Sequence, residues 1–162
     1  MRDPGWSRLT VVGFVVLVTA VPIVAMIALG VFDAGAVTGE LSGSGPLLGE
    51  LNFQADACCS GQPDGFLGVY VGSTGRSDAR LKAFEDPIHG SLVLLQVPGS
   101  CEGPRCKQVM LSAETCAQFA VRIRRTNTTI NDVRVLEGEL RLDCALASGD
   151  RIVGGLHFEG CH

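Results

Sequence analysis

Two patterns of apolar and polar positions divide the chain. From Leu9 to Phe32 it reads LTVVGFVVLVTAVPIVAMIALGVF, with no charged residue. Beyond that run, apolar and polar residues alternate in short stretches broken by glycine. An apolar run of this length covers about 36 Å as a helix, enough to cross a bilayer with some tilt. A cleavable signal core is shorter, about 7–15 residues, so an uncleaved anchor over residues 9–32 is expected. The alternative is secretion after cleavage near Ala36, where Ala34 and Ala36 meet the small-residue rule. Pro22 kinks a spanning helix without forbidding it. Arg2 and Arg8 precede the run, and Asp33 and Glu40 follow it. That asymmetry places residues 1–8 in the cytoplasm and the remainder on the periplasmic or extracellular side.

Residues 33–46, DAGAVTGELSGSGP, are rich in glycine and serine and read as a flexible linker. At most an edge strand is expected there, at AVTGEL. From 47 to 162 the alternation predicts about eight strands separated by turn residues. They are LGELNFQADA, FLGVYVGS, RLKAFE, SLVLLQV, KQVMLS, CAQFAVRIRR, VRVLEGELRLDCAL and RIVGGLHFEG. Between the first two, SGQPDG is a turn cluster, and TGRSD is a loop. In the first strand Leu51, Phe53 and Ala55 share a face. Later Ala117, Phe119, Val121 and Ile123 share one, as do Leu136, Leu140 and Leu142. Opposite these lie Arg122 and Arg124 on one strand and Glu137, Glu139, Arg141 and Asp143 on the next, so the two outer faces are expected to pair charge against charge. The segment TNTTIND is expected to turn the chain, with the glycosylation sequon at Asn127 on the turn. Several strands repeat a grammar of glycine, alternating apolar residues, then cysteine (GELRLDC, GGLHFEGC), too irregularly spaced for a solenoid. The fold class is all-β: an antiparallel sandwich or barrel, stabilised by disulfides, behind a single N-terminal membrane helix.

Charge and chemistry narrow the function by exclusion. After the apolar run the chain carries 11 Lys or Arg against 16 Asp or Glu. No basic stripe suits nucleic acid, and no two aromatic platforms stand side by side in the sequence to stack single-stranded bases. There is no G-x-S-x-G elbow and no P-loop lysine, and the three histidines, His89, His157 and His162, fall in no catalytic motif. No catalytic residue, cofactor site or metal site is assigned. The rival reading is a metal- or redox-active envelope protein using Cys101, Cys106, His157, Cys161 and His162. Its spacings lack the paired C-x2-C of zinc sites, the C-x-x-C of thioredoxins and the C-x-x-C-H of haem attachment.

All seven cysteines follow residue 57, as in a domain matured in an oxidising compartment. Cys101 and Cys106 flank a Gly-Pro turn and form the natural local bridge. For the last two strands, Gly149 suits the left-handed position of a three-residue hairpin loop. Aligning apolar faces sets Leu142 opposite Leu156 and Leu140 opposite Phe158. Cys161 then falls opposite Glu137, roughly 23 Å from Cys144 along the sheet and out of bonding reach. Cys161 is therefore expected to pair with Cys58 or Cys59. Cys116, Cys144 and the remaining member of that pair are left with one more bond and one free thiol. The expected function is a membrane-anchored binding or accessory module with a protein partner, acting as a small subunit of an envelope assembly.

Overall fold

A computed structural model describes residues 35–73, 80–102 and 105–162. The expected anchor, Leu9 to Phe32, and the loop TGRSD lie outside the described residues. No helix among the described residues is long and apolar enough to cross a membrane.

The described chain forms ten strands: β1 (Gly35–Gly45), β2 (Gly49–Gln54), β3 (Ala57–Ser60), β4 (Gly68–Gly72), β5 (Leu81–Asp86), β6 (Gly90–Gln96), β7 (Gln108–Leu111), β8 (Cys116–Ile130), β9 (Val133–Ala145) and β10 (Arg151–Cys161). A single 3-10 turn, Gln62–Asp64, occupies the SGQPDG cluster. Nine strands follow one another in the order β7-β6-β5-β4-β3-β1-β10-β9-β8, and β2 pairs with β1 beside β3. Each pairing is antiparallel. The sheet curls into a nearly closed, barrel-like shell around one core. The all-β expectation therefore stands, in its barrel form.

Alternation explains the shell. Val69, Val71, Leu81, Ala83, Val93, Leu95, Val109 and Leu111 point inward from β4–β7. Leu136, Leu140, Leu142, Ile152, Leu156 and Phe158 do the same from β9 and β10. Leu51, Phe53 and Ala55 are buried together, as their spacing predicted.

Three expectations are corrected. Within the expected linker, residues 35–45 form a strand: β1 lies between β10 on one side and β2 and β3 on the other. Its Val37 and Leu41 enter the core, so the β domain begins near residue 35 and not at 47. Gly and Ser content disguised a strand whose apolar positions are few but correctly spaced. Second, β9 and β10 pair two residues out of the expected register. Leu140 faces Leu156, Gly154 faces Leu142, and Phe158 faces Gly138. Gly149 does sit at positive φ, +88°, and closes a three-residue loop in which the Leu146 N–H donates to Asp150 O at 2.8 Å. The position of that loop, residues 147–149, sets the register, and Leu142 and Phe158 lie against glycine instead of against another large residue. A Cβ on Gly138 would come within 2.8 Å of the Phe158 ring. Third, Asn127 lies within β8, and the turn is the tight pair Asn131–Asp132, both at positive φ. Two-residue hairpins require that conformation.

Along β8, Ala117 is exposed, and Phe119, Val121 and Ile123 are only half-buried. β8 and β7 end the sheet at opposite sides. The turn Ser112–Thr115 joins them, yet among the described residues they do not pair with each other.

Candidate functional site

The cysteines resolve into three disulfides: Cys58–Cys161, Cys101–Cys106 and Cys116–Cys144. Cys101 joins Cys106 and Cys161 joins Cys58, as expected, and the one remaining bond is Cys116–Cys144. Successive residues of a strand face opposite sides. Cys58 points inward to Cys161 while Cys59 is exposed with a free thiol. Partial burial, and then the Asp64 charge, push the Cys59 thiol above its ordinary range, against an opposing pull from Arg80. It is held protonated and is a weak nucleophile at neutral pH. The observed register alone would set Cys161 opposite Val135, and bulging at Gly160, φ +71°, sets it opposite Leu136 and not the expected Glu137.

The candidate ligands do not converge. Among the described residues no group of His, Cys, Asp or Glu could hold a metal ion. His89 pairs with Asp86 at 2.9 Å in the β5–β6 turn, and the ring of His162 lies 2.7 Å from Gly160 O. His157 lines a shallow groove of about 230 Å3 on the outer face of β1, β10 and β9, with Thr38, Glu139 and Arg141 around it.

One buried charge was not anticipated. Asp150, 1 % exposed, accepts the Leu47 and Leu48 N–H groups at 2.9 Å each and the Ser148 hydroxyl. The Ser148 bond first, then the backbone donors, hold its carboxyl below the usual range against the opposing cost of burial. It clamps the β1–β2 turn to the β9–β10 turn. With both of its acceptor oxygens satisfied, it is a structural group. Only the pairing of β1 with β10 brings residues 47 and 150 together, so no local signal marked it.

The two outer faces differ in chemistry. On β8 and β9, Arg122 pairs with Glu139 at 3.3 Å and Arg124 with Glu137 at 3.1 Å. These residues face each other in register, as their alternation predicted. Arg151 reaches Asp143 at 3.1 Å.

The outer face of β4–β7 is instead apolar and aromatic. Adjacent strands align Cys59, Tyr70, Lys82, Leu94 and Met110 in one row. Phe84 and Leu92 face each other in the row beside it. Met110 is 60 % exposed. The Phe66 ring packs on Gly61, whose lack of a side chain makes room for it. It meets Tyr70 and Phe84 edge-on, at centroid separations of 5.2 and 6.0 Å. Lys82 Nζ sits 3.7 Å from the Phe66 ring centre and 4.8 Å from that of Phe84. Tyr70 donates its hydroxyl to Asp64 at 2.8 Å. Burial, then that bond, raise the Tyr70 pKa, so it stays a donor. The sequence showed no neighbouring aromatic platforms; strand pairing assembles them from residues 66, 70 and 84. Comparison of the chain with protein-family models, with curated proteins and with solved structures finds no match, so its functional reading rests on these surfaces.

Proposed function

We propose that this chain is a non-enzymatic binding or accessory module, held on the outer side of a membrane by the apolar run Leu9–Phe32, and that it engages a protein partner through the outer face of β4–β7. One observation carries the reading: that sheet is apolar on both sides. An antiparallel sheet with one face in solvent normally alternates apolar and polar. Here Phe66, Tyr70, Phe84 and Leu94, all half-buried, and the exposed Met110 lie on the side away from the core, while Leu92, which faces Phe84, is itself buried. Aromatic residues with a neighbouring cation are the chemistry that dominates protein interfaces. The three disulfides support an oxidising compartment. The metal or redox alternative is weakened because Cys101, Cys106 and Cys161 are consumed in disulfides.

The test is site-specific photo-crosslinking of the full chain in its native membrane. A photoreactive residue at Met110 is expected to label one defined protein, and the added substitution Leu94→Asp is expected to abolish that labelling. The same probe at Arg141, on the charged face, should label nothing comparable. Equal labelling from both positions, or stoichiometric metal in the purified protein, would overturn the proposal.

A further inference from the structure

The free edge of β8 is a second feature that the core does not explain. The strand runs 15 residues, is paired on one side by β9 and on the other by no strand among the described residues. Irregularities at Cys116/Gln118 and Arg125/Thr129 bound a regular stretch, Gln118 to Arg125. An edge of this kind presents a row of main-chain donors and acceptors able to take another strand. Its inward residues, Phe119, Val121 and Ile123, pack against the core while remaining half-exposed, so the apolar interior is not sealed along this side.

The charge around this edge is opposite to that of the domain. Gln118–Thr129 of β8 and its partners Arg134–Asp143 of β9 hold Arg122, Arg124, Arg125, Arg134 and Arg141 against Glu137, Glu139 and Asp143. The chain after the apolar run is otherwise acidic. The guanidinium-bearing side chains of Arg122 and Arg124 are each 76 % exposed even while paired to β9. A partner strand on the free side would set alternate residues over Phe119, Val121 and Ile123 and the others beside Arg122 and Arg124. A second copy of β8 fits poorly, because it would bring three more arginines to the same edge.

We propose that the edge Gln118–Arg125 binds an extended segment of a partner protein in which apolar and acidic residues alternate. The inference deepens the binding-module reading and rests on it for the class of partner, but it uses a different surface.

The probe is a synthetic peptide of alternating glutamate and valine, as long as the regular stretch of β8, added to the full chain. It is expected to bind, to slow amide hydrogen exchange within 118–125 and not within β7, and to weaken as salt rises. Methylating alternate peptide nitrogens on the pairing side keeps charge and side chains but removes main-chain donors. Binding should then fall by about tenfold or more, because several hydrogen bonds are lost together. The double variant Arg122→Ala with Arg124→Ala should weaken binding several-fold and leave the fold intact. Undiminished binding of the methylated peptide would reveal charge attraction alone and overturn the proposal. So would no binding, exchange protection outside β8, or self-association of the chain through β8. If the peptide fails while crosslinking at Met110 succeeds, the edge proposal falls and the binding module stands.

Discussion

The β4–β7 sheet and the β8–β10 ribbon obey the same rule inside the shell and opposite rules outside it. Both send mainly aliphatic side chains inward at alternate positions. Outside, the ribbon carries matched arginines and carboxylates, whereas the sheet carries aromatic rings, leucines and a methionine gathered around Lys82. The inner pattern follows from the need for a dry core and says little about function. The outer pattern is free of that need. A solvated face with ion pairs is what water selects, so the apolar outer face is the informative one.

The largest effect that separates the two sides of the sheet comes from its rings. Phe158→Ala, at 1 % exposure opposite Gly138, should cost about 3–5 kcal/mol in denaturant unfolding with the disulfides intact. Phe84→Ala, on the outer face, should cost clearly less. An equal loss would show that the outer rings serve the fold and would break the comparison.

Next in size is the covalent tie from the ribbon to β3, the strand beside the β4–β7 sheet. Cys58–Cys161 links β3 to β10 across 103 residues. Replacing both cysteines by serine should lower stability by about 2–5 kcal/mol. The same change at Cys101 and Cys106, which closes a short loop within the β6–β7 connection, should cost about 2 kcal/mol or less. Thermal unfolding under non-reducing conditions ranks the two.

Acid titration sharpens the role of Asp150. Its carboxyl is depressed in the folded state. Its stabilising contribution is therefore complete above the unfolded value of about 3.9 and is lost as pH falls through that value towards the folded pKa. Asp150→Asn should lower stability at neutral pH and flatten this part of the pH profile. A profile unchanged by the substitution would remove Asp150 from the clamp between the two turns.

The smallest effects distinguish the outer faces directly. A double-mutant cycle on Arg122 and Glu139 should give about 0.2–1 kcal/mol and shrink in high salt. A cycle on Lys82 and Phe66 should give about 0.5–1 kcal/mol, with weaker salt dependence because ring and ammonium are in contact. Matching salt responses would mean that the two faces differ in composition but not in physics.

Much of the ribbon was legible because its strands follow one another through short turns, and charge alternates against charge on neighbouring strands. The outer face of β4–β7 was less so. SLVLLQV lacks the alternation of a half-exposed strand, and such a continuous apolar run is the signature of burial on both faces. That signal was present at Leu92 and Leu94. The ring cluster left none, because residues 66, 70 and 84 meet only once β4 pairs with β5.

The sequence by itself determined the all-β class, the inward positions of most strands, the local Cys101–Cys106 bridge and the facing of arginine against glutamate on β8 and β9. Each depends on the two-residue period of a strand or on neighbours close in the chain. Only the tertiary structure decided that Gly35–Gly45 is a strand within the sheet, that Cys58 and not Cys59 meets Cys161, that Phe158 faces Gly138, and that Asp150 clamps a turn 102 residues away. These depend on register between strands, and the position of a loop, a bulge at Gly160 and glycine-sized gaps set that register. A one-residue slip would exchange the two faces of a strand while leaving its period unchanged.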